Sequence, residues 1–184
     1  MNVGTKSLLF GAHQFVWHPL TVFLAWCELY GLPNWKQTIC IVVHDWGYWG
    51  CEDMEGSCGS RHPERGAKLA AKYLDHFHPL LYDVNDREYR FLCLYHSRTY
   101  AAKGNSHPSK LCWADKLCVK FDPWWLYLPR VILTGEIHEY RREAHNANLI
   151  TLDKSNREWF DWARTRMMKK AYAQDTRPPY QKGS

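Results

Sequence analysis

A chain of 184 residues is long enough to bury one sizeable core, and a composition 46% hydrophobic and 15% aromatic, with ten tryptophans, excludes the disordered and low-complexity classes. The net charge of +5 comes from basic residues interspersed with acids, which favours anionic ligands such as phosphates without requiring a nucleic-acid groove. No run approaches the roughly 20 apolar residues of a spanning helix, and no basic segment leads into an apolar one at the N-terminus, so neither membrane insertion nor export is expected. Seven cysteines, odd in number and lacking a C-x-x-C pair, suggest neither a zinc ribbon nor a closed disulfide framework. They read as reduced thiols of a cytoplasmic protein. Cys40, Cys93 and Cys118 are expected as small core residues, and Cys51 and Cys58, flanking a polar loop, are the two to check for oxidation.

Helical periodicity runs through nearly the whole chain and predicts an all-α domain over residues 1–175, followed by a flexible tail over 176–184. From His18 onward, Val22, Ala25, Trp26 and Leu29 recur at helical spacing until Gly31-Leu32-Pro33 stops the element, which places His18 on the inward stripe. Asn34 is a candidate N-cap for a second helix that runs through the apolar stretch Ile39–Val43 to His44-Asp45. The segment from Trp46 to Arg61, rich in Gly, Cys and acids, reads as a loop. His62-Pro63-Glu64 then reads as a helix start, since proline is favoured at the first helical position, and Ala67, Ala70, Ala71 and Leu74 continue it.

A polar break at Asp83 to Asp86 precedes Tyr89, Leu92, Cys93 and His96, a series that puts His96 on the buried face of its helix. Thr99 to Ser109 is expected as a second loop. Leu111, Ala114, Asp115, Cys118 and Phe121 form another stripe, ended near Pro123, and turn Asp115 inward, where a carboxylate needs partners. Trp124 to Leu133 is aromatic and apolar. Asp153 to Ala173 is a charged amphipathic helix, and the Pro178-Pro179 segment after Gln174 is expected to fray.

Four histidines and two aspartates (His18, His44, Asp45, His62, His96 and Asp115) thus lie at helix ends or on apolar faces. One metal centre would satisfy all of these buried polar groups together. Imidazole and carboxylate donors suit a divalent transition ion such as Mn, Fe, Co or Zn. His13, one and a half turns before His18, is left open between a structural role and a part in the site. Metal-assisted hydrolysis is the chemistry this donor set suggests, with a metal-activated water as nucleophile. Phosphoryl transfer spreads negative charge over oxygens, so Arg61, Arg65, Arg98 and Lys116, next to the expected ligands, are candidates to stabilise it. Tyr48 and Trp49, on a glycine-flanked turn, are candidates to stack on a nucleobase.

The ordered series His18-Pro-Leu-Thr-Val, His44-Asp45-Trp-Gly, His62-Pro-Glu-Arg-Gly-Ala, His96-Ser and Ala114-Asp115-Lys116 resembles the HD superfamily of metal-dependent phosphohydrolases over residues 13–121. The resemblance implies a single HD-type helical bundle, here with an added C-terminal amphipathic helix. It also implies a first metal held by His18, His44, Asp45 and Asp115. His62 and His96 match the further histidines of the dinuclear branch, in which Asp45 would bridge two ions. The Gly-Tyr-Pro signature of the HD-GYP members is absent, and Tyr48 and Trp49 stand where mononuclear relatives often carry a glutamate; these features lean toward two metals. The expectation is therefore an enzyme, with Asp45, Arg65 and Lys116 in catalytic roles and Arg61, Arg98, Tyr48 and Trp49 against a nucleotide or nucleotide-derived substrate. Homo-oligomerisation is compatible with this reading, and nucleic acid is not required. The alternatives are a mononuclear nucleotidase or dNTP triphosphohydrolase, a di-iron oxygenase on the same scaffold, and a non-catalytic nucleotide-binding module.

Overall fold

The computed structural model describes residues 1–54, 56–77 and 86–174, apart from the side chains of 75–77, 86 and 87. The 176–184 tail and the polar break before Asp86 fall outside the described residues, as do the side chains of His76 and His78. Among the described residues the protein is all-α. Ten helices run in chain order: α1 (Val3–Phe10), α2 (Trp17–Tyr30), α3 (Trp35–Val43), α4 (His62–Phe77), α5 (Asp86–Leu94), α6 (Arg98–Lys103), α7 (Lys110–Leu117), α8 (Trp124–Thr134), α9 (Glu136–Asn146) and α10 (Asn156–Ala173). None of them is long and apolar enough to cross a membrane.

Local chemistry sets the boundaries. α2 stops at Gly31, whose φ of +81° suits a residue without a side chain. A capping box starts α3: the Asn34 side chain accepts from Gln37 N (2.9 Å), while the Gln37 side chain accepts from Asn34 N (3.0 Å). α10 begins the same way on Ser155 and Glu158. The apolar stripes then meet in one core: Val22, Ala25 and Trp26 of α2, Cys40, Ile41 and Val43 of α3, Ala67, Ala70 and Leu74 of α4, Tyr89, Leu92 and Cys93 of α5, and Leu111, Ala114 and Leu117 of α7. A second cluster joins α8, α9 and α10 through Leu128, Val131, Ile137, Trp159, Phe160 and Ala163.

The segment after α3 is where the fold prepares a site. His44–Tyr48 forms a 3-10 turn that lies backbone against backbone on the start of α4. A Cβ on Gly47 would stand 2.1 Å from the His62 carbonyl oxygen, and one on Gly66 2.1 Å from that of His44. Only glycine allows both approaches, and they bring His44-Asp45 beside His62.

Several sequence expectations change. The expected Trp46–Arg61 loop begins within the 3-10 turn and ends in a second one over Gly59–Arg61. α6 occupies the first part of the expected Thr99–Ser109 loop, capped by Ser97, whose hydroxyl accepts from Tyr100 N (3.3 Å); six residues are too few to display a period. α5 ends at Leu94, so His96 sits in the turn beyond the helix, though still buried. Cys51 and Cys58 form a disulfide, which corrects the expectation that all seven thiols are reduced; the other five cysteines are free. α1 and α9 gave no stripe in the sequence, because α1 is short and α9 buries only Glu136 and Ile137.

Candidate metal centre

Six side chains from five places in the chain converge. His18 comes from the first turn of α2, His44 and Asp45 from the 3-10 turn, His62 from the start of α4, His96 from the turn after α5, and Asp115 from α7. They form two groups of potential donor atoms: His18, His44, Asp45 and Asp115, and Asp45, His62 and His96. In the first group His18 Nε2 lies 2.9 Å from Asp45 Oδ2, 3.4 Å from Asp115 Oδ1 and 3.4 Å from His44 Nε2. His44 Nε2 is 3.2 Å from Asp45 Oδ2 and 3.9 Å from Asp115 Oδ1. In the second group Asp45 Oδ1 lies 3.6 Å from His62 Nε2 and 3.3 Å from His96 Nε2, and the two imidazole nitrogens are 2.9 Å apart. Asp45 therefore turns one oxygen toward each group.

The tautomers are fixed from behind. His44 Nδ1 faces the Ile41 carbonyl at 2.8 Å, His62 Nδ1 that of Gly59 at 2.6 Å and His96 Nδ1 that of Cys93 at 2.5 Å. A carbonyl only accepts, so each Nδ1 carries a proton and Nε2 is the nitrogen left to offer a lone pair to an ion at the centre. Lone pairs 2.9 Å apart on His62 and His96 repel unless a proton or a cation lies between them. Asp45 Oδ2 is buried and makes no well-directed hydrogen bond, although His18 Nε2 is 2.9 Å away. Donors about 2.0–2.2 Å from a tetrahedral ion stand roughly 3.3–3.6 Å from one another, and the separations here bracket that range. Donor type, tautomer and spacing all fit a divalent transition ion.

The electrostatics without an ion agree. Burial raises a carboxyl pKa, but for Asp45 the neighbouring His44, His13 and His18 outweigh it and hold the group well below its ordinary value. Asp115 is likewise held well below the usual carboxylate range, burial being overcome by His18 and His44. Burial would depress His44, yet Asp45 and Asp115 raise it to about 9. His62 goes the other way, down to about 3, through burial and the adjacent His96. So the first group balances its carboxylates with protons, whereas the second offers a neutral nitrogen.

Among the other expected residues, Lys116 follows Asp115 on α7 and interacts with it electrostatically. Burial lowers its pKa, but Cys112 and Asp115 more than compensate, so its raised pKa keeps it cationic beside Asp115. Arg98 is buried nearby. Arg61 points to solvent and pairs with Glu64 (3.4 Å). The Arg65 guanidinium donates to the Trp49 carbonyl oxygen at 2.6 Å and faces Cys51 Sγ at 3.3 Å, so it braces the loop. Tyr48 is buried and stacked on the His62 ring at 3.9 Å, which makes it a wall of the centre. Trp49 is half exposed and leans on Phe15.

Sequence reasoning left His13 open, and the structure places it at the rim. Its Nε2 is 3.8 Å from Asp45 Oδ2, and its Nδ1 is bonded to Ser7 Oγ at 2.8 Å. Burial brings its pKa down to about 4. Behind Ser7 lies the buried Glu136, which accepts from Ala12 N (2.9 Å) and which burial pushes up to about 7. The signal for His13 was its spacing before His18; Ser7 and Glu136 gave none. The remaining histidines with described side chains, His107, His138 and His145, are exposed, and none belongs to either donor group.

Among the described residues the chain is thus all-helical, with a buried His/Asp cluster capable of holding metal, which is compatible with an HD-type domain. Comparison with protein-family models, with curated proteins and with solved structures gives no significant match.

Proposed function

We propose that the protein is a metal-dependent phosphohydrolase or phosphodiesterase that cleaves a phosphate ester or phosphoanhydride bond of a nucleotide. The observation that carries this reading is the division of Asp45 between two histidine groups, which is the donor arrangement of a two-ion centre. Divalent ions bound there supply Lewis acidity, ionising a water near neutral pH and neutralising phosphoryl oxygens. His18, His44, Asp45 and Asp115 would hold one ion and Asp45, His62 and His96 the other. Asp115 is the most open of these ligands, with a quarter of its side chain exposed, so substrate would enter on that side. Lys116 stands next to it and would neutralise charge on the incoming phosphoryl group. His13, held by Ser7, would face the same space. Tyr48 and the first core cluster shield the inner side from bulk water, which strengthens each of these interactions.

The test is to load purified protein in turn with Mn, Co, Fe, Zn or Mg and to screen nucleoside mono-, di- and triphosphates, dinucleoside polyphosphates and cyclic nucleotides for released phosphate or nucleoside. Metal-dependent turnover that proceeds without oxygen and vanishes in a folded Asp45→Ala variant supports the proposal. Absence of any metal uptake, or full activity in that variant, overturns it. Turnover that requires oxygen would instead identify an oxygenase.

A further inference from the structure

Beside the 3-10 turn, a groove of about 490 Å³ is lined by Phe15, Trp46, Trp49, Arg65, Lys68, Leu69 and Lys72, a volume within the range of small-molecule sites. Its two kinds of lining residue are complementary to one ligand class. On one side Trp49, 51% exposed, leans on Phe15 with ring centroids 6.1 Å apart and planes 27° from parallel, leaving an indole surface open to solvent. Trp46 packs edge-on to the same Phe15 at 5.5 Å, and its indole N–H is buried without a hydrogen-bond partner among the described residues.

The other side is cationic. Arg65, Lys68 and Lys72 follow one stripe of α4 over roughly 10 Å at 1.5 Å per residue. Arg65 is fixed by its bond to the Trp49 carbonyl oxygen, so the cationic stripe and the aromatic wall are held in register. Lys68 and Lys72 are exposed, and neither forms an ion pair among the described residues. An open π-face that shares one groove with ammonium groups lacking an ion pair among the described residues recognises a ligand that carries both a flat ring and a spread of negative charge.

We propose that this groove binds a nucleoside phosphate, its base stacked on Trp49 and its phosphates on Lys68 and Lys72. None of the six metal-facing side chains lines it, so the binding does not depend on the hydrolytic reading. The experiment is calorimetric titration of chelator-treated protein, shown to keep its helical circular dichroism, with a nucleoside triphosphate and, separately, with inorganic tripolyphosphate. Metal-free protein prevents turnover and removes the centre as a competing site. The expected result is saturable nucleotide binding with a dissociation constant below about 1 mM and markedly weaker binding of tripolyphosphate. Trp49→Ala should weaken the nucleotide by roughly 5- to 140-fold, the equivalent of about 1–3 kcal/mol of stacking. Lys68→Glu with Lys72→Glu should weaken it by about tenfold and flatten its salt dependence. All three substitutions are at exposed positions, so the fold should survive them. Equal affinity for tripolyphosphate, an unchanged constant in either variant, or binding only when metal is restored would each overturn the proposal. Failure here would leave the metal-dependent turnover screen unaffected.

Discussion

The first donor group should take up metal with a steep pH dependence and the second with little. At pH 7, His44, raised to about 9 by Asp45 and Asp115 against the effect of burial, is almost wholly protonated. An incoming ion must displace that proton, at a cost of about 1.36 kcal/mol for each pH unit below the pKa. Two units amount to about 2.7 kcal/mol, or roughly a hundredfold in affinity at pH 7 relative to pH 9. His18 is raised as well and steepens the dependence further. By contrast His62, at about 3, is already neutral, and both aspartates are already ionised.

A His62→Ala variant isolates the first group, because it removes one of only three donors in the second and should reduce bound metal from two equivalents to one. Calorimetry of this variant in buffers of different ionisation enthalpy should count at least one proton released per ion between pH 6.5 and 8.5. Chelator competition should show the affinity rising at least tenfold per pH unit over that interval. An affinity that is flat with pH, or uptake without proton release, would refute the tautomer and charge assignments. Two equivalents retained in His62→Ala would refute the two-group arrangement itself.

Three further outcomes follow from the same geometry. In the metal-free protein the raised His44 stabilises the fold fully below about 6.5 and loses that contribution as pH rises through about 9, whereas the depressed His62 costs stability as pH falls from 6.5 toward 3; thermal unfolding should therefore show a maximum near pH 6.5 whose alkaline decline disappears when metal is bound. Gly66→Ala should destabilise the protein and release metal, since a Cβ 2.1 Å from the His44 carbonyl oxygen forces backbone apart at about 1–3 kcal/mol, more than alanine's helix preference returns; an unchanged melting temperature with metal retained would contradict the close packing of the 3-10 turn on α4. Asp122, buried, accepts from Arg130 at 2.5 Å and from the Trp17 indole at 3.0 Å, and so ties α8 to the residue preceding His18; Asp122→Ala should cost about 3–5 kcal/mol, a fall of roughly 6–20 °C in melting temperature, and a shift under 2 °C would show that Arg130 finds another partner.

The donor set was legible because each ligand interrupts an apolar pattern. His18 shares a stripe with Val22 and Ala25, Asp115 one with Leu111 and Ala114, and His44-Asp45 closes the run Ile39–Val43, so a polar side chain is forced inward wherever the period holds. His96 shows the limit of that logic: the stripe predicted its burial correctly, although the helix ends two residues earlier, because the Cys93 carbonyl captures its Nδ1 from the turn. The cations could not be read in the same way. Each helical step rotates a side chain by 100°, so Arg61 and Arg65, close to His62 in sequence, are turned to Glu64 and to the Trp49 carbonyl oxygen. Nothing in a sequence period marks where a carbonyl oxygen waits. The Ser7–His13 pair and the Glu136 behind it were hidden for a related reason. Glu136 meets Ala12 across 124 residues, through two short or polar helices without a stripe of their own. Local patterning thus reveals which groups must be buried, while the partners that orient them come from backbone atoms and from distant segments, which only the assembled fold brings near.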